Sequence, residues 1–135
     1  MSYPITEIDG IDDAVAAVLK SVKIRSSTSL LDAAGTAKGR RAVAEKTGLT
    51  EKQLLSWANV ADRMRVKGIS REYAALLSAA GVDTVKELKY RNPANLAKAM
   101  ADANKKRKLV RLLPSEKVVA RWIECAKGLE LKIKY

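Results

Sequence analysis

Two stretches of the chain repeat one another, and a repeat of this kind prescribes one small helical unit built twice. Ile8-Asp9-Gly10-Ile11 followed by Ala16-Ala17-Val18-Leu19 returns 58 residues on, from Gly10 to Gly68, as Val66-Lys67-Gly68-Ile69 followed by Ala74-Ala75-Leu76-Leu77. The register continues through Ile24/Val82, Ser26/Thr84 and Leu30/Leu88. Thr50-Glu51-Lys52 with Trp57 and Ala61 then returns as Ser115-Glu116-Lys117 with Trp122 and Ala126, now 65 residues on, so the second copy holds about seven extra residues between its landmarks. The expected organisation is a single domain over residues 1–135, made of repeats at about 5–61 and 62–129 with a C-terminal arm at 129–135.

Capping signals make the units helical. Asp12 and Asp13 sit where the positive end of a helix dipole favours carboxylates, ahead of a helix to about Val22. Ser27 or Thr28 opens a short helix that Gly35 ends, and Thr36 caps another running to Gly48. Thr50 with Gln53 has capping-box spacing before Leu54, Trp57, Ala58 and Ala61 on one face, and that helix fades near Met64. Ser70, Thr84 with Glu87, Asn92-Pro93 and Pro114-Ser115 open the corresponding helices of the second copy. The fold class is therefore all-α, with duplicated helix-hairpin-helix-like repeats packed as one compact domain. The tail Leu129-Glu130-Leu131-Lys132-Ile133-Lys134-Tyr135 alternates apolar and polar, which reads as a short strand or extended arm. It would pair with another chain or lie on its own domain near Tyr3 and Ile5. The helix carrying Trp122 is expected to dock beside the first hairpin, bringing the chain ends together.

Charge separates the copies. Residues 1–61 carry eight basic and seven acidic side chains, a net +1, whereas residues 62–135 hold +10 of the total +11. A pI near 9.9 fits a nucleic-acid binder, and equally a lysine-rich solvated surface. No apolar run reaches the ~20 residues of a membrane span, and Met1-Ser2-Tyr3-Pro4 lacks a signal-peptide layout, so the expected location is cytoplasmic. One cysteine, Cys125, makes no internal disulfide and reads as a small apolar residue. Histidine is absent, no Cys/His cluster holds zinc, and no Gly-rich Lys-Ser/Thr phosphate loop occurs. The expectation is a non-enzyme with no catalytic residues, metal or cofactor.

Each Gly-hydrophobic pair leaves almost no room between helices. Glycine permits a sharp reversal, and backbone N–H groups at the following helix N-terminus can face a phosphate with no side chain between. Backbone amides do not read bases, so such a turn grips duplexes through their phosphates. Glu7, Asp9, Asp12 and Asp13 surround the first turn with negative charge, while Arg63, Arg65, Lys67 and Arg71 frame the second. Met64 to Ile69, Glu72 through Leu88, Arg91 to Leu96, and Leu113 to Lys117 with Trp122 carry a resemblance over about residues 5–129. The chain resembles an uncharacterised bacterial domain-of-unknown-function family related to helix-hairpin-helix domains. That resemblance implies a fold whose relatives commonly contact DNA without sequence preference, while others serve as protein-interaction modules. The DNA-binding pattern Gly-hydrophobic-Gly is broken by Asp12 and Ser70 at its second glycine.

The expected nucleic-acid contacts are Arg65, Lys67, Gly68, Ile69, Ser70 and Arg71 of the second turn, with Lys105, Lys106, Arg107, Lys108 and Arg111 of the densest basic run. Lys38, Arg40 and Arg41 form a weaker basic patch. Trp57 and Trp122 read as matched core residues, and Tyr73 and Tyr90 as core-edge residues. The expected partner is duplex DNA, bound non-specifically. The alternative is a protein-interaction or scaffolding module that binds no nucleic acid and associates through the acidic turn, the basic copy or residues 129–135.

Overall fold

The computed structural model describes residues 2–135. After a single 3₁₀ turn at Ile5–Glu7, the first copy forms α1 (Asp13–Ser21), α2 (Ser27–Ala34), α3 (Ala37–Thr47) and α4 (Glu51–Arg63). The second copy forms α5 (Arg71–Ala79), α6 (Val85–Lys89), α7 (Pro93–Arg107) and α8 (Glu116–Lys127) in the same order. The architecture is all-helical, and one apolar cluster runs through both halves.

Local chemistry sets most of the boundaries. The side chains of Ser26, Thr36, Thr50, Thr84, Asn92 and Ser115 each accept a hydrogen bond from a backbone N–H in the first turn of the helix they open. Thr50 and Gln53 close the expected capping box. Glu87 departs from that scheme, because its carboxylate accepts from the Asp83 N–H and the Thr84 hydroxyl instead.

Packing stays within each copy to an extent that the pattern did not foretell. α4 lies against α2 and α3, and α8 against α6 and α7. The expectation that α8 docks beside the first hairpin is therefore corrected. Asn104 holds the loop after α7 through two hydrogen bonds to the Val110 backbone, each 3.0 Å, and the chain is turned back onto its own repeat. Val119, Trp122, Ile123 and Ala126 are then buried there.

The tail is likewise not a strand; among the described residues the only β-type pairing is the isolated bridge between Pro4 and Ser26. Residues 130–135 run extended along the first copy. Lys134 N–H donates to Gly35 O at 2.6 Å, and Lys134 O accepts from the Arg40 guanidinium at 2.8 Å. Arg65 donates to Glu130 O at 3.1 Å, and the Tyr135 hydroxyl reaches Asn59 Oδ1 at 3.4 Å. Arg40, expected on a surface patch with Lys38 and Arg41, is instead buried and spent on this seam and on Ala34 O. The ends do approach, since Ser27 exchanges hydrogen bonds with Tyr3 and lines the same recess as Leu129 and Lys132.

Candidate nucleic-acid interface

The two glycine turns are geometrically alike. Gly10 has φ +93° and Gly68 φ +94°, a conformation that disfavours any side chain. Over each lies the indole of its own copy: a Cβ on Gly10 would stand 3.0 Å from Trp57 Nε1, and one on Gly68 3.1 Å from Trp122 Nε1. Ile11 donates to Ile8 O and Ile69 to Val66 O, each at 3.1 Å, and both isoleucines plug the core beneath the bend. Each turn is thus a joint in which a helix start is clamped under a tryptophan.

What the turns show to solvent differs. At the first, Asp12 accepts from Val15 N–H at 2.8 Å, so a carboxylate already occupies the helix N-terminus. At the second, Ser70 makes no such bond, leaving the start of α5 without a side-chain cap. The N–H groups of Lys67, Gly68 and Ser70 donate to no group among the described residues, and Gly68 is exposed. An uncapped helix start with unpaired amides and adjacent cations favours an anion.

The cations expected around this turn separate into two groups. Arg63 is buried and donates to the Asp83 and Ala74 carbonyls, with its Nε unpaired. Burial lowers its pKa, against the pull of Asp83, Asp62 and Glu87. Arg65 is held by Asp62 at 2.6 Å and by Glu130 O, so both arginines serve the joint between α4, α5 and the tail. Burial raises the Asp62 pKa despite that partner. Ile69 is fully buried and supports the turn without offering a side-chain contact. Lys67 is exposed, and Arg71 forms a solvent-exposed 3.3 Å ion pair with Asp9 of the first turn, which sets the two bends side by side.

The basic run divides as well. Lys105, Lys106 and Arg107 form the last turn of α7, where cations complement the helix dipole. Lys108, left-handed at φ 48°, and Arg111 line a recess with Glu72 and Tyr73 of α5. Tyr73 donates its hydroxyl to Leu112 O at 2.8 Å and leans on Trp122, ring centroids 5.3 Å apart. A groove beside Gly68 is lined by Lys67, Val118, Arg121, Trp122 and Cys125. Arg121 was not singled out from the sequence. Its only signal was its place one residue before the repeated tryptophan. Cys125 is half-buried at the groove edge, and Tyr90, expected at the core edge, is 74% exposed beneath Lys89.

Residues 9–129 match the family described as Domain of unknown function (DUF4332). The chain belongs to the DUF4332 family. No curated protein and no solved structure matches it. DUF4332 membership covers both glycine turns and helices α1 to α8, while the seam formed by residues 130–135 lies outside the matched span. No helix among the described residues is long and apolar enough to cross a membrane.

Proposed function

We propose that this chain is a non-enzymatic DNA-binding module that holds duplex phosphates at its second glycine turn with little sequence preference. The observation that supports this reading is the contrast in caps: Asp12 fills the helix start at the first bend, and Ser70 leaves the start of α5 open at the second. The unpaired amides of Lys67 and Gly68 and the side chains of Lys67 and Arg121 border the same groove. Lys108 and Arg111 extend the positive surface past Tyr73. Backbone donors and flexible cations recognise phosphate and carry no base code, so affinity follows the polyanion rather than the sequence.

Ser70→Asp tests the reading without harming the fold, because it installs at the second bend the cap already present at the first. The variant should gain about 1 kcal/mol of stability while losing at least about tenfold in DNA affinity. Wild-type affinity should fall with salt at a log–log slope of roughly −0.9 per phosphate engaged, equally for duplexes of unrelated sequence. Lys67→Glu with Arg121→Glu, both exposed, should act in the same direction. Absence of duplex binding at low salt, or undiminished binding by Ser70→Asp, overturns the proposal. The first of these outcomes favours a protein-interaction module.

A further inference from the structure

We infer that Leu112 and Leu113 form an apolar wedge, so that the DNA held at the second turn is preferentially duplex with interrupted stacking: nicked, mismatched or branched. The inference rests on the DNA reading of the Gly68 turn. Leu112 is 76% exposed and Leu113 41%, in a chain whose other leucines are mostly buried. Both line a groove with Gly68, Tyr73, Val118 and Trp122, so they stand beside the phosphate-binding candidate. Their loop is held at two points, Val110 and Leu112. Asn104 clasps Val110 through its N–H and its carbonyl, Val110 is buried, and Tyr73 fixes the Leu112 carbonyl at 2.8 Å. The backbone is thus tied down while the leucine side chains project. Arg111 immediately precedes them and Lys108 opens the loop, so two cations flank the apolar tip, with Glu72 the one acid lining the same recess.

A projecting apolar pair on an anchored, cationic loop suits insertion between base pairs. Proteins that bind duplexes through their backbones use such side chains to part a base step, at the cost of unstacking it. That cost is least where stacking is already broken, and selectivity for damaged or discontinuous sites arises from the difference. The phosphate contacts would hold the duplex, and the leucines would discriminate among duplexes.

Fluorescence anisotropy with an intact duplex, the same duplex carrying one nick, and a branched junction separates the two contributions. The wild-type chain should bind nicked or branched DNA about tenfold more tightly than intact duplex. Leu112→Ser with Leu113→Ser should bring that ratio close to unity while leaving affinity for intact duplex, and its salt dependence, unchanged. A fluorescent adenine analogue beside the nick should brighten on binding wild type and not on binding the double variant. Equal affinity of wild type for intact and discontinuous DNA, or a preference that survives loss of both leucines, overturns the wedge and leaves the phosphate-binding proposal standing. Failure to bind any of the three overturns both.

Discussion

The bends at Gly10 and Gly68 have φ angles within a degree of each other and sit under equivalent tryptophans, yet they face solvent with opposite chemistry. Ile11 and Ile69, Trp57 and Trp122 are interchangeable in role because the interior asks both copies for the same shape. Asp12 and Ser70 are not interchangeable, since one fills a helix N-terminus and the other leaves it open. The buried half of each joint is held by packing, whereas the exposed half is free to change charge, and the contrast between copies is concentrated there. The Arg71–Asp9 pair across the two bends shows that the acidic turn also offsets part of the positive field of its neighbour.

The largest effects should come from the shared part. Trp57→Ala and Trp122→Ala should each cost about 3–5 kcal/mol by urea denaturation, since each removes a buried indole and its bend loses the ring above it. A large cost at one site only would break the structural equivalence of the copies. Gly10→Ala and Gly68→Ala should each cost about 2 kcal/mol, through the strained positive φ and the approach of the new methyl to indole Nε1. Their equality, read as matching shifts in denaturation midpoint, sharpens the comparison.

The caps should then part the copies. Asp12→Ala should cost about 1 kcal/mol and Ser70→Ala close to nothing, because only the first side chain accepts a hydrogen bond. Equal losses in thermal unfolding would erase the distinction on which the DNA reading depends. The smallest effect lies at the ends of α4 and α8, where Asp62–Arg65 is largely buried and Glu124–Lys127 is exposed. Burial raises the folded Asp62 pKa above the ordinary 3.8. Its stabilising contribution is therefore complete below the unfolded value and is lost as pH rises through the folded one. The stability of wild type relative to Asp62→Asn should decline with rising pH across this acidic window, read from urea midpoints. A wild-type advantage that grows with pH would mean that Arg65 outweighs burial.

Helices were legible because their signals are local: Thr50 with Gln53, Asn92 with Pro93, and Gly48 at φ +79° act within a few residues of where they stand. The candidate site was legible only in part. Lys67, Gly68 and Ser70 could be found from the repeat, but Arg63, Arg65 and Ile69 looked equally available until burial withdrew Arg63 and Ile69 and the bonds to Asp62 and Glu130 O engaged Arg65. Arg121 and the leucines at 112 and 113 carried no local signal, since what marks them is the company they keep in a groove formed by α5, α8 and the loop between α7 and α8.

By itself the sequence determined the all-helical character, the order and approximate ends of the helices, and the drift of positive charge into residues 62–135, because periodicity, caps and counts are properties of neighbours along the chain. Only the tertiary structure decided that each tryptophan roofs its own copy's bend, that the tail is a seam along α2 to α4, and which cations remain free. Those outcomes depend on which surfaces meet. A buried guanidinium such as Arg40 or Arg63 is recruited by carbonyls distant in sequence, and no local pattern records that pairing.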